Sequence, residues 1–270
     1  MRNYTGLRMK FNRKFQSCNS EGGMAMQAIL YVGHGTRSTK GAEEAKLFLN
    51  EVMNRVEAEI QEISFLELTQ PTIEESFERC IEVGATNITV VPLFLLAAGH
   101  IKQDIPEKLK YLQQKHPFVQ VIVADPFGVQ EIILDGIVEL IKETAGELML
   151  EDSLLIVGRG SSDTAIHQNF LQIVTGIASR LTVSKVNVCY LAATTPTFSE
   201  GIEHMSRTTV GRVVVIPYLL FGGLLLSEIQ AEVRKRKKRG ESIILTSALS
   251  KHQAIQDIVV EKGLQYLLSS

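Results

Sequence analysis

The chain has 270 residues, 45% of them apolar and 21% charged, and a formal charge of −2 at pH 7. That length fits one large domain or two modest ones, and the near-neutral balance argues against a surface dedicated to nucleic acid. Cys18, Cys80 and Cys189 stand apart with no C-x-x-C spacing, which suits a reducing cytoplasm and argues against a thiolate metal cluster. No apolar run reaches 18 residues, so no membrane-spanning helix is expected.

Residues 1–25 carry Arg2, Arg8, Lys10, Arg13 and Lys14 but lack the apolar centre of a signal peptide. They show no hydrophobic period and are expected to be a disordered extension. Glu21-Gly22-Gly23 would be encoded by a purine-rich string resembling a bacterial ribosome-binding site just ahead of Met24 and Met26, so translation is expected to start there.

A short apolar strand follows at 28–33, then an amphipathic helix over 40–59. A second strand is expected at 60–68. Pro71 then opens a helix that runs to Gly84. Residues 87–96 are almost continuously apolar, as in a parallel strand covered on both faces. A helix over 100–115, a strand within 119–128 and a helix to 147 complete the set. From 153 the order repeats, with strands beginning near 154, 185, 212 and 242 and helices near 164–181, 197–206, 224–239 and 251–268.

The repeat extends to the residues themselves. LYVGHGTRS at 30–38 returns as LIVGRGSSD at 155–163, ISFLELTQPT at 63–72 as VCYLAATTPT at 188–197, and VVPLFLL at 90–96 as VIPYLLF at 215–221. Gly33 and Gly158, Pro71 and Pro196, and Pro92 and Pro217 are each 125 residues apart. Internal repeats of this kind set the architecture. Strands alternating with helices imply parallel sheets and right-handed crossovers. The fold expected is α/β, with two similar doubly wound domains, each a four-stranded parallel sheet flanked by helices. Residues 1–25 form the extension, 26–148 the first domain and 149–270 the second.

Across the copies His34 becomes Arg159, Glu67 becomes Ala192 and His100 becomes Leu225. The scaffold is present twice and the chemistry once, so the residues that differ are the candidates for function. Ligands of open α/β sheets sit beyond the carboxyl ends of the strands, where His34, Glu67 and the segment Leu95, Leu96, Ala97, Ala98, Gly99 and His100 converge. In GHGTRS the glycines allow a tight strand-to-helix turn, and Thr36 or Ser38 can cap the helix. A packing or capping histidine is the competing use of such a turn. Two imidazoles and a carboxylate suit a borderline metal with open positions and can also accept protons. GxxxxGK is absent, which disfavours nucleotide hydrolysis. His116, His167, His204 and His252 fall in helical stretches or at helix ends, where structural roles are expected. The run RKRKKR at 234–239 reads as a solvated helix end that complements the helix dipole, or as a patch steering a polyanionic substrate.

ILYVGHGTRS, ISFLELTQPTIEESF, VVPLFLLAAGHIKQDIPE and VGRGSSD together resemble the class II tetrapyrrole chelatases, specifically the two-domain sirohydrochlorin chelatases of the SirB/CbiX type. The resemblance covers residues 26 to about 260. It implies ATP-independent insertion of Fe²⁺ or Co²⁺ into sirohydrochlorin, for siroheme or cobalamin, by a cytoplasmic enzyme with no cofactor beyond the metal substrate. It implies metal ligation by His34 and His100, with Glu67 as acidic partner and 95–100 contacting substrate, whose carboxylates are expected to meet helix N-termini and basic side chains such as Arg37. The preceding enzyme of siroheme synthesis is a candidate partner. Two alternatives stay open on the residues alone: a tetrapyrrole or metal carrier without turnover, and a phosphotransfer enzyme with His34 as nucleophile.

Overall fold

The structure, a computed structural model, describes residues 25–97 and 99–267, without the side chains of His100, Ile101 and Tyr266. The extension over residues 1–24, Cys18, Ala98 and the His100 side chain therefore lie outside the described residues.

The first sheet comprises β1 (Gln27–Gly33), β2 (Ile60–Phe65), β3 (Asn87–Pro92) and β4 (Gln120–Val123), all parallel, in the order β2-β1-β3-β4. The second comprises β5 (Ser153–Gly158), β6 (Lys185–Tyr190), β7 (Val213–Pro217) and β8 (Ile243–Leu245), in the order β6-β5-β7-β8. Helices α1 (Thr39–Met53), α2 (Ile73–Val83), α3 (Ile105–Lys115) and α4 (Glu131–Ala145) accompany the first set, and α5 (Thr164–Ala178), α6 (Phe198–Thr208), α7 (Leu224–Lys237) and α8 (Gln253–Leu267) the second. The two doubly wound sheets expected from the sequence are present.

Local chemistry sets the ends of these elements. Ser38 Oγ accepts from Gly41 N at 3.2 Å and starts α1, while Ala45, Phe48, Leu49 and Val52 form its buried stripe. The expected helix to 59 stops at Met53, because the Gln61 side chain donates to the carbonyls of Met53 and Val56. Thr72 and Glu75 form a capping box at α2, and Thr197 and Glu200 repeat it at α6.

The strands also end earlier than the apolar runs suggest. β2 stops at Phe65 rather than 68, since Leu68 takes φ +61° and the chain turns back toward β1. β3 stops at Pro92, and 93–97 form an irregular segment after it. Where one helix was expected over 100–115, a π-helical turn (His100–Asp104) precedes α3.

The packing crosses the duplication. Helices α2 and α3 cover the outer face of the first sheet, and α6 and α7 that of the second. Between the sheets lies one continuous core that includes Ile29 and Tyr31 of β1, Leu154 and Ile156 of β5, and residues of α1, α4, α5 and α8. The last helix of each half leans on the other half: α4 packs on α5, β7 and β8, and α8 on α1 and β3. Gly176 admits Leu134 of α4 and Gly136 admits His252 and Ala254, so small residues let these helices approach. Arg180 at the end of α5 pairs with Glu131 and Asp135 of α4, and Arg55 pairs with Asp257 of α8. Cys80 and Cys189 are buried, and burial pushes both thiols up to about 12, which removes them from redox or ligand chemistry.

At the crossover between halves, Asp152 is 2% exposed and meets Arg212 at 2.6 Å. Arg212 also donates to the carbonyls of Ala145 and Glu147, fastening the end of α4 to the second sheet. Burial alone would raise the Asp152 carboxyl, but bonds from the Arg212 guanidinium and the Met149 and Arg212 backbone N–H groups bring it down to about 2. A carboxyl depressed in the folded state stabilises fully above its unfolded value and loses that contribution as pH falls toward its folded value. Asp152→Asn should therefore cost about 3 kcal/mol at pH 7, because Arg212 loses its partner. The difference from wild type should shrink as pH drops from about 4 to about 2, read as urea midpoints across that range. A gap independent of pH would show that the carboxylate charge is not what matters.

Candidate functional site

In an open sheet ordered β2-β1-β3-β4 the chain leaves β1 and β3 in opposite directions, which opens a crevice at their carboxyl ends. His34 follows β1 and Leu93 follows β3, so these two segments border the crevice. The His34 ring lies 5.9 Å from Phe94.

Glu67 reaches His34 through the backbone. Leu66 N donates to Gly33 O at 2.9 Å, and Glu67 N donates to His34 O at 3.1 Å. Thr69 Oγ1 accepts from Thr36 N at 2.9 Å and donates to Thr36 O at 3.0 Å. The loops after β1 and β2 are thus zipped together, and Glu67 Oε1 comes to 3.5 Å from His34 Nδ1. Glu67 is 48% exposed and His34 28%, so the carboxylate is not buried at the end of an apolar strand.

The other face of His34 meets the second half. Arg159 Nη1 lies 3.3 Å from His34 Nε2. A guanidinium only donates, so His34 accepts at Nε2 and carries its proton on Nδ1, facing Glu67. The sequence comparison treated Arg159 only as a mark of lost function. The structure instead places it in the cleft. The missed signal was the repeat itself, since copies that share one core bring their β1 and β5 loops face to face.

Two cavities of about 530 and 460 Å³ adjoin this pair, and both include His34 and Arg159 in their walls. They correspond under the 125-residue repeat: Gly35, Gly41 and Ala45 line one where Gly160, Ile166 and Phe170 line the other. Leu95, Leu96 and Gly99 line the larger cavity, and Arg37 the smaller. Ala97 lines neither. Tyr218, which sequence reasoning passed over, also lines the larger cavity, and its buried hydroxyl has no hydrogen-bond partner among the described residues.

His100 sits in the π-helical turn that follows β3, the strand adjacent to β1. Among the described residues no group of three His, Cys, Asp or Glu side chains is set to hold a metal, and the described part of the site is the His34–Glu67 pair. Three of the remaining histidines have structural partners, His116 with Glu78, His252 with Glu139 and His167 with Ser161 O, while His204 is exposed on α6. The basic run is not uniformly solvated either, for Arg236 turns inward to Glu203, Glu232 and Glu241.

Fold and cleft define a duplicated α/β protein of the chelatase kind, with the His34–Glu67 pair on the cleft between its halves. The chain belongs to the CbiX family, whose model matches residues 28–144 and 153–265. It is 41% identical over 245 residues to the sirohydrochlorin ferrochelatase of Priestia megaterium, covering 91% of this chain and 92% of that one. To the sirohydrochlorin cobaltochelatase of the same organism it is 30% identical over 248 residues, covering 90% and 80%. The solved structure of SirB from Bacillus subtilis with Fe³⁺ superposes with a TM-score of 0.80 at 35% identity, covering 88% of this chain and 94% of that one.

The zipper depends on Gly35, which has φ +92° and whose added Cβ would lie 1.7 Å from Glu67 O. Gly160 has φ +93° and would meet Ala192 O at 1.8 Å. Gly35→Ala and Gly160→Ala should each cost at least about 2 kcal/mol in denaturant unfolding, and only the first should also displace His34 from Glu67. Wild-type stability in both would mean that the loops can part without penalty.

Proposed function

We propose that the protein inserts a divalent metal, Fe²⁺ or Co²⁺, into sirohydrochlorin without ATP. The observation that carries this reading is His34 Nε2, held toward a cleft between two duplicated halves by a carboxylate behind Nδ1. A histidine whose far nitrogen faces a carboxylate, here at 3.5 Å, is oriented as a metal ligand. The family membership and the sirohydrochlorin chelatases among its relatives support the same reaction class.

Insertion requires that two pyrrole N–H protons leave as the metal enters. His34 and His100, at the ends of adjacent strands, bind the metal and bring it to the ring. Glu67 keeps His34 in the tautomer that offers Nε2, and its half-exposed carboxylate can take the ring protons in turn and pass each to solvent water. Apolar walls at Leu95 and Leu96, with Gly99 beside them, suit a flat macrocycle, while Arg37 meets its polar periphery. Both metals accept the same nitrogen and oxygen ligands, so one site serves either.

On this reading residues 26–148 supply the ligands and 149–270 the opposing wall, and the enzyme works in the cytoplasm next to the preceding enzyme of siroheme synthesis. No helix among the described residues is long and apolar enough to cross a membrane.

The test is to mix metal-free sirohydrochlorin with Fe²⁺ or Co²⁺ and protein, without nucleotide, and follow the absorption spectrum. His34→Ala and His100→Ala should each slow insertion roughly a hundredfold at limiting metal, with little loss of stability. Glu67→Gln should slow it roughly tenfold, since the amide keeps the shape and loses the charge. Wild-type rates in His34→Ala would remove the site, and a spectrum unchanged over the no-protein control would leave a carrier.

A further inference from the structure

Arg159 comes from the copy that lacks the histidine pair, yet it covers the functional atom of the copy that has it. Its Nη1 lies 3.3 Å from His34 Nε2, and with no acceptor of its own the guanidinium draws on the imidazole lone pair. That is the electron pair a metal needs. Arg159 and the metal therefore compete for one site.

The charge environment sharpens the point. Arg159 is exposed, and no carboxylate pairs with it among the described residues. Two nearby cations of the interface between the halves are already neutralised: Lys102 pairs with Asp163 at 2.7 Å, and Lys251 with Glu44 at 2.9 Å. Arg159, like Arg37 on the smaller cavity, has no carboxylate partner among the described residues and has a full charge to give to an incoming anion, and of the two it is Arg159 that touches His34. It lies on the border of both cavities, so a macrocycle entering either one passes it. A planar guanidinium also binds carboxylate in a two-pronged manner that a lone pair cannot match.

We infer that Arg159 links the two substrates of insertion, an inference that rests on the reading of His34 as metal ligand. While the cleft holds no tetrapyrrole, Arg159 covers His34 Nε2 and repels a dication. A carboxylate of the arriving tetrapyrrole draws the guanidinium off His34, which uncovers the lone pair and removes the repulsion. Metal capture is therefore weaker in the empty cleft and strengthens once the macrocycle has drawn Arg159 away. The degenerate copy thus supplies a positioning residue that couples the two substrates, and the arginine at 159, where the first copy has His34, is a change of role.

The experiment titrates the full-length protein with Co²⁺ in the absence of tetrapyrrole and follows the visible absorption of bound cobalt. Arg159→Met should bind Co²⁺ roughly tenfold more tightly than wild type, the scale expected for removing a cation within about 4 Å of a dication in a watery cleft. Arg159→Lys retains the charge and should stay within roughly threefold of wild type. With metal saturating, the KM for sirohydrochlorin should rise roughly tenfold in Arg159→Met, because the carboxylate has lost its partner. Unchanged Co²⁺ affinity in Arg159→Met, or equal tightening in both variants, overturns the inference. His34→Ala separates the two levels. If it leaves Co²⁺ binding intact, the ligand reading itself falls; if it abolishes binding while Arg159→Met has no effect, only the link to Arg159 falls.

Discussion

The hydrogen bond from Glu67 N to His34 O is the constraint around which the cleft is organised. It locks the loop after β1 to the loop after β2, and two side chains 33 residues apart in sequence become neighbours. Its precondition is a glycine with positive φ packed against the Glu67 carbonyl. The second half keeps the same bond, from Ala192 N to Arg159 O, and the same glycine at 160. Because the backbone carries the geometry, the side chains at these positions are free to differ. A site whose placement is fixed by main-chain bonds can lose its histidine in one copy without losing its shape.

The exchange of terminal helices explains why the two copies act as one body. Had α4 covered its own sheet and α8 its own, the halves would have been joined by a linker alone. Instead the inner faces of both sheets share a single apolar core, and burial of that core resists any separation of the loops that meet over it. Polar fastenings lie around it: Arg212 holds the end of α4, Arg180 its start, and Glu44 accepts from Gly222 N and pairs with Lys251 across the interface. The 3.3 Å contact between Arg159 and His34 spans the duplication, and it depends on that rigidity.

Much of this was legible in the sequence, for identifiable reasons. The strands and helices follow from apolar period and caps, and the repeat of Thr72 and Glu75 as Thr197 and Glu200 gives two helix starts from one pattern. Convergence of His34 and Glu67 on one rim followed from the alternation of strands and helices, because parallel sheets deliver their strand ends to one side. Element ends were less legible, since they are set by long-range partners: Gln61 stops α1, and the turn to His34 stops β2. Helix exchange was not legible at all. An amphipathic helix shows which face is apolar but not which sheet receives it.

Arg159 is the instructive case. Read along the chain, an arginine in place of a histidine looks like loss, because VGRGSSD keeps the glycine turn without the imidazole. Read in space, the substitution puts a cation against the only nitrogen through which the remaining histidine can act toward the cleft. Duplication followed by divergence is usually pictured as one copy keeping a function while the other decays into support. Where the copies meet face to face, a position of the second can lie opposite its own counterpart in the first, as Arg159 does His34. A residue that changes there becomes a neighbour of the site it once duplicated, and charge at a distance of 3.3 Å cannot be neutral to metal chemistry.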